Sequence, residues 1–277
     1  EGSTLSNKSC AQDFYDLFKG SDIAHGTFVV NQNRSRDGKK LGAAKVLREP
    51  TTVQMWSEHL EGGTGLGIIP IRSDNTCQWG GIDIDQYDID HKNLVTALKK
   101  NKVPAVVGRT KSGGAHIWIF ITEPIEAADV QRKMTELSAS LGHAGSEVFP
   151  KQTTILLDRG DTGNFLNMPY HSGKNSTRYG YNEKAEALSP QEFIAYAKKN
   201  QVTPNQFLKL DFSFGAKQNV LEEGPPCLQR LCSKGFNEGS RNNALFNLGV
   251  YARLYDSDNW ETLVQKYNMD YLNPPLS

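Results

Sequence analysis

The run Trp79-Gly80-Gly81-Ile82-Asp83-Ile84-Asp85 decides how this chain is read. Apolar and acidic residues alternate with a period of two, which marks a strand whose two faces differ in character. Ile82 and Ile84 fall on one face, Asp83 and Asp85 on the other. At a rise of about 3.4 Å per residue the two carboxylates stand roughly 7 Å apart. A folding core has no use for like charges side by side, whereas a divalent cation does. Asp-x-Asp is common by chance, so its meaning depends on what flanks it.

What flanks it is ordered. Asp88 or Asp90 is placed to cap a helix through Lys100, with Leu94, Ala97 and Leu98 on one side. Residues 103–109 and 115–121 read as two strands joined by Thr110-Lys111-Ser112-Gly113-Gly114, a link short and glycine-rich enough for a tight hairpin. After Pro124 a helix over 125–141 carries Val130, Met134, Leu137 and Leu141 as its apolar stripe, and Ser146-Glu147-Val148-Phe149 opens a fourth strand. The order is βαββαβ, the ferredoxin-like or RRM-like unit of an α+β protein. There the first strand lies between the third and fourth, both helices cover one face, and the other face is expected to stay open. Ile82, Ile84, Ile117, Ile119 and Val148 then point at the helices. Asp83, Asp85, His116, Trp118, Phe120, Glu147 and Phe149 share the opposite face, which gathers acids and an imidazole. Trp118 and Phe120 read as packing residues sooner than as base-stacking platforms.

Upstream, residues 11–19 form an expected helix with Phe14, Leu17 and Phe18 on one side, followed by a strand at 26–30. The polar, basic run 31–40 reads as a loop, either simply solvated or in contact with template phosphates. Thr51 or Thr52 is the expected cap of a helix carrying Val53, Trp56 and Leu60 inward. Gly62-Gly63 ends it, and residues 66–71 form a further strand. Downstream, strands are expected at 154–157 and 163–171, with the turn Asp158-Arg159-Gly160-Asp161 between them. A helix runs from Ser189-Pro190 to about residue 200. Residues 211–226 lack periodicity and end in Gly224-Pro225-Pro226, a linker signature. Two or three helices follow, Arg241 to Leu254 the clearest. The chain stops at Asn273-Pro274-Pro275-Leu276-Ser277 with no closing element and is expected to continue in a longer protein.

Composition narrows the classes. The chain has 277 residues, 38% hydrophobic and 22% charged, enough apolar content for a substantial core and too mixed for disorder. Lys plus Arg and Asp plus Glu both number 31, so formal net charge is zero. That disfavours a broad duplex-binding surface but leaves room for a local basic groove. No run is long and apolar enough for a membrane span, and no signal-peptide pattern opens the chain. Cys10, Cys77, Cys227 and Cys232 lack Cys-x-x-Cys spacing, so zinc and iron–sulfur clusters are not indicated and a reducing, cytoplasmic setting is expected.

The runs Ile82-Asp83-Ile84-Asp85, Arg109-Thr110-Lys111-Ser112-Gly113-Gly114-Ala115-His116-Ile117-Trp118-Ile119-Phe120 and Glu147-Val148-Phe149-Pro150-Lys151-Gln152 together resemble the catalytic core of the archaeo-eukaryotic primase superfamily. The resemblance is to the primase-polymerases of phages and mobile elements, including the TOTE conflict-system primases. It extends to His59-Leu60-Glu61-Gly62, to Gly67-Ile68-Ile69-Pro70 and to Gly163-Asn164-Phe165-Leu166-Asn167-Met168-Pro169-Tyr170, and covers roughly residues 50–180. It implies that Asp83 and Asp85 are catalytic ligands for magnesium or manganese and that His116 contacts the nucleotide triphosphate. Glu147 is taken as the third acid, with Asp158 the alternative. Arg109, Lys111, Lys151 and Lys174 are candidate cations for the triphosphate, and Ser112, Gly113 and Gly114 a backbone cradle for it. Asn167, with Asn164, is a candidate nucleotide or template contact; Tyr87 is a candidate sensor of the sugar 2′ position.

The implied organisation is a catalytic domain over 1–212, a linker over 213–226 and a helical domain over 227–277 that resembles primase C-terminal domains. The implied activity is DNA-dependent primase-polymerase chemistry on a single-stranded DNA template, making and extending primers from NTPs or dNTPs. A helicase domain or partner is a further expectation, and a phage-encoded chain would work in the host cytoplasm. Two other classes share some of these features. A metal-dependent nuclease or replication-initiator nickase uses similar carboxylates but normally pairs histidines, and His116 has no His-x-His partner. A non-catalytic RRM-like binder shares the topology but displays aromatics where this strand has Asp83 and Asp85.

Overall fold

The computed structural model describes residues 2–34, 40–215, 221, 224–258 and 260–276. The chain divides into two compact units, Glu1–Met134 with Ser146–Leu210, and Thr135–Gly145 with Asp211–Ser277.

At the centre of the first unit is an antiparallel sheet of β4 (Thr76–Ile84), β5 (Val106–Arg109), β6 (Ala115–Glu126) and β7 (Glu147–Phe149), in the order β5-β6-β4-β7. With α3 (His91–Lys100) and α4 (Ala127–Ser140) in the two crossovers this is the βαββαβ unit, and its first strand lies between its third and fourth as expected. Asp90 caps α3 by accepting the Asn93 N–H at 3.0 Å. Ile82, Ile84, Ile117 and Ile119 are buried on the helix-facing side. Gly80 lets α4 approach closely: a Cβ there would lie 2.5 Å from Met134 Cγ.

The opposite face is not open as expected. A second sheet, ordered β2-β1-β3-β8, comprises β1 (His25–Arg34), β2 (Lys40–Leu47), β3 (Gly65–Ile68) and β8 (Leu166–Asn167). With α1 (Gly2–Leu17), α2 (Val53–Leu60) and α5 (Pro190–Lys199) it supplies the cover. Trp79, Trp118, Phe120 and Phe149 from the central sheet join Phe14, Phe18, Trp56, Leu66, Leu166 and Phe193 in one buried cluster. The reason is physical: four large aromatics on one sheet face are too costly to leave in water. Phe18 is the hub, its ring set edge-on to Trp79, Trp118 and Phe120 at 5.5, 5.8 and 5.0 Å.

Local signals account for the cover's elements. Thr52 caps α2 through the Met55 N–H at 3.2 Å. Ser189 and Glu192 form a reciprocal capping box with Pro190 in the first turn of α5, and Thr203 and Gln206 repeat it for α6 (Pro204–Leu208).

Several expected boundaries move. The run 31–40 is not all loop, because β1 reaches Arg34 and β2 begins at Lys40; residues 35–39 lie outside the described residues. β3 ends at Ile68, short of residue 71. β6 continues through Pro124 to Glu126 because β4 starts at Thr76 and gives it a partner, so α4 opens at Ala127 and not at 125. Residues 154–157 form no strand: side chains of Asn75 and Asp161 take the N–H groups of Ile155 and Leu156, and a 3-10 turn covers Leu157–Arg159. Of 163–171 only Leu166 and Asn167 pair, with β3.

The second unit contains α7 (Pro226–Lys234), α8 (Arg241–Tyr255) and α9 (Trp260–Tyr271), with the short parallel pair β9 (Phe236–Asn237) and β10 (Leu272–Asn273). Its core includes Leu228, Cys232, Ala244, Leu248, Tyr267 and Tyr271.

Phe18→Ala removes the ring on which three sheet aromatics rest and should destabilise the protein by about 3–5 kcal/mol. Urea denaturation reads this directly, and a loss under about 1 kcal/mol would mean that the face is not held by this contact.

Candidate active site

Across the covered face the register sets residues in parallel rows. One row is Val106, Trp118, Gly81 and Phe149; the next is Gly108, His116, Asp83 and Glu147. Trp118 lies against the two glycines, a Cβ on Gly108 falling 2.6 Å from its ring and one on Gly81 3.6 Å away. So the first row is buried and the second, one step along the strands, carries the polar groups. Directly opposed residues of an antiparallel pair have Cβ atoms about 4.5–5.5 Å apart, so Asp83 has His116 on one side and Glu147 on the other.

His116 Nε2 stands 3.3 Å from Asp83 Oδ1; the imidazole side chain is 9% exposed and the carboxylate 29%. The Trp118 indole meets the imidazole edge-on at 5.5 Å. An acceptor at Asp83 favours the tautomer with its hydrogen on Nε2. Glu147 is exposed, and its Oε1 accepts from Lys151 Nζ at 2.7 Å. That Nζ also sits over the Phe149 ring at 5.3 Å. Asp85 follows the last residue of β4 and is exposed; Tyr87, beyond it, is 70% exposed.

The turn after β5 lies against the same segment. Thr110 N–H donates to the Gly114 carbonyl at 3.0 Å and Gly113 N–H to the Thr110 carbonyl at 3.1 Å, while the N–H groups of Lys111 and Ser112 take no part in the turn's described hydrogen bonds. Gly113 has φ +92°, a conformation that suits glycine, and its hypothetical Cβ would lie 3.1 Å from the Tyr87 carbonyl oxygen. On Gly114 a Cβ would fall 2.3 Å from the Ile84 carbonyl oxygen. Backbone contact thus sets the turn beside the acidic segment. Arg109 is half-buried, its Nη1 donating to the carbonyls of Thr110 and Thr177 at 3.2 and 3.0 Å.

Other candidates stand elsewhere. Lys174 lines a cavity of about 230 Å³ with Cys10, Ser57, Glu61 and Gln191, and none of the row residues shares it. Asp158 is exposed in the 3-10 turn, next to the Gly160 carbonyl that Arg48 reaches at 2.7 Å. Asn167 is on β8, opposite Gly67, with its Oδ1 buried and without a partner among the described residues. Asn164 accepts from Gln152.

Oxygen donors alone, as Asp83, Asp85 and Glu147 would supply, suit a hard divalent ion such as magnesium or manganese. Among the described residues, no three His, Cys, Asp or Glu side chains stand close enough as placed to hold a metal ion. Trp118 and Phe120 are fully packed, so the aromatics of this face are unavailable for base stacking.

Two groups carried no assignment in the sequence. His59 is fully buried, takes the Leu66 N–H on Nδ1 at 2.9 Å and donates from Nε2 to the Pro169 carbonyl at 2.8 Å. It thereby links the two outlying motif segments, 59–62 and 163–170. The Arg178 guanidinium lies over Phe28 at 4.4 Å, and burial pulls its pKa down. A lone arginine between Thr177 and Tyr179 gives no periodic or motif signal by which sequence could single it out.

Residues 28–193 match the family model of the archaeo-eukaryotic primase domain of TOTE conflict systems. Among solved structures, the cyanophage S-2L primase-polymerase domain is 14% identical over 69% of this chain and 97% of its own, with TM-score 0.38. The catalytic domain of the primase Repb′, solved with initiator DNA, is 8% identical over 70% and 93%, with TM-score 0.35. No curated protein matches the chain. The family match makes the α+β fold that of a primase-type domain, and a helical region follows it in the chain. The chain belongs to the archaeo-eukaryotic primase domain family of the TOTE conflict systems.

His59 offers a test of the packing that joins the two motif segments. Burial lowers its pKa from 6.5 to about 3. Unfolding below pH 6.5 therefore takes up a proton that the folded state refuses. The stabilisation is complete above that pH and is lost on acidification, by up to about 1.4 kcal/mol per pH unit. Between pH 6.5 and about 5, wild-type stability should fall more steeply than that of His59→Asn. Parallel pH profiles for the two would show that His59 is not held neutral in the fold.

Proposed function

We propose that this chain is a DNA-dependent primase-polymerase that makes and extends primers from nucleoside triphosphates on a single-stranded DNA template. Membership of the family supports primase-type nucleotidyl transfer. The observation that supports the finer reading is the cross-sheet row Glu147–Asp83–His116, set where a buried aromatic face gives way to solvent. Asp85 lies just beyond that row, and the two-glycine turn lies against the same segment.

Asp83, Asp85 and Glu147 are the proposed ligands for magnesium or manganese. Bound there, a pair of such ions supplies activation of the attacking 3′-hydroxyl and charge stabilisation for the leaving pyrophosphate. The remaining work falls to the chain's own groups. His116, oriented by Asp83 at Nε2 and braced by Trp118, is the proposed contact for the triphosphate. The N–H groups of Lys111 and Ser112, without a partner among the described residues, cradle the triphosphate, with Gly113 and Gly114 giving the turn its close approach. Arg109 and Lys111 add positive charge on that side of the row, and Lys151, held at Glu147, adds it on the other. Asn167 is proposed as a further nucleotide contact from β8, whereas Lys174, in its separate cavity, is not. Template, primer strand and a helicase are the partners this activity implies, in the cytoplasm.

The test is primer synthesis on single-stranded DNA, with NTPs and dNTPs compared in magnesium and in manganese. Wild type should incorporate nucleotide, and Asp83→Ala with Asp85→Ala should lower the rate by more than about 100-fold while far-UV circular dichroism stays unchanged. Primer synthesis persisting in the folded double variant would remove the assignment; template cleavage without added nucleotide would point to a nuclease instead.

A further inference from the structure

We infer that His91 is a positioning residue for the triphosphate cradle, tying the turn after β5 to the segment that carries Asp85; this rests on the nucleotidyl-transfer reading above. His91 is the first residue of α3 and owes its place to the Asp90 cap immediately before it. From there its Nε2 donates to the Gly114 carbonyl at 2.9 Å. That same carbonyl takes the Thr110 N–H at 3.0 Å, the bond that closes the turn. The His91 ring packs on Tyr181, with centroids 5.1 Å apart. Tyr181 is itself anchored to β5 by its N–H on the Val107 carbonyl at 2.8 Å.

The tie crosses a seam of close backbone contact. Gly114 meets the Ile84 carbonyl and Gly113 the Tyr87 carbonyl, so the two contact points bracket Asp85 in sequence. Backbone van der Waals contact limits how near the turn can come, but it does not stop the turn from lifting away. A side-chain hydrogen bond from α3 does. With it in place, the spacing between the acidic segment and the N–H groups of Lys111 and Ser112 is fixed before nucleotide arrives. His91 meets no substrate in this arrangement and acts only through Gly114.

His91→Phe keeps a ring against Tyr181 and removes the donor, whereas His91→Gln keeps a side-chain N–H. Both are compared with wild type, in the full chain, by amide hydrogen exchange at Thr110 and Gly113, by nucleotide KM and kcat on a primed single-stranded template, and by Tm. The expected result for His91→Phe is exchange at Thr110 and Gly113 faster by about tenfold. KM for the incoming nucleotide should rise by about tenfold, with kcat within about twofold and Tm essentially unchanged. His91→Gln should recover most of the KM. Wild-type exchange rates in His91→Phe would overturn the tie, and faster exchange with unaltered KM would overturn its role in nucleotide positioning. A joint loss of kcat, KM and Tm that Gln does not rescue would make the residue merely structural. A wild-type chain that incorporates no nucleotide overturns the nucleotidyl-transfer reading and this inference with it. An active wild type beside an unaffected His91→Phe overturns this inference alone.

Discussion

One sheet face must satisfy two opposite demands in adjacent rows, and the rest of the molecule follows from that. Trp118, Gly81 and Phe149 require burial; Asp83 and Glu147 require access to water, and the buried His116 requires a polar partner, which Asp83 supplies. The pairing distance between strands is fixed, so neither row can drift. A slip of one residue in either neighbour of β4 would turn its whole side-chain set to the other face and put isoleucine or valine where the polar and aromatic residues now stand. The Trp118 ring against Gly108 and Gly81 opposes such a slip, because any side chain at those glycines would collide with it or crowd it. Helices α1, α2 and α5 and the second sheet then cover the aromatic row, and the polar row marks where the aromatic cluster stops.

Much of the fold could be read from residues 79–149 because its signals are local. Alternation in Ile82-Asp83-Ile84, the Asp90 cap and the Gly113-Gly114 turn each act within a few residues. Strand order came from topology rather than from any residue, and the order found is the one expected. The cover on the opposite face was not legible. Its residues, among them Phe14, Phe18, Trp56, Leu166 and Phe193, are scattered over most of the first unit, and no short-range pattern relates them. The absent strand at 154–157 has a similar origin. Its β-like composition is overridden by two side chains, Asn75 and Asp161, that capture its N–H groups.

The site divides in the same way. Asp83, His116 and Glu147 could be set on one face from their parity in the strands, and the register puts them in one row. Lys174, chosen for its charge in a motif-like context, lines a separate cavity with α2 and α5 residues. Parity says nothing about residues in loops. His91 shows the converse: a histidine opening a helix carries no pattern, and its bond to Gly114 exists only because two glycines allow the chains to touch.

The central claim is that the row around Asp83 is where a divalent ion and nucleotide meet, with Glu147 and not Asp158 as the third acid. Titration of manganese into the protein with a non-hydrolysable nucleoside triphosphate, followed by electron paramagnetic resonance, addresses this without relying on turnover. Bound manganese should fall sharply in Asp83→Asn and in Glu147→Gln and remain at the wild-type level in Asp158→Asn. Wild-type binding in Glu147→Gln together with its loss in Asp158→Asn would contradict the account.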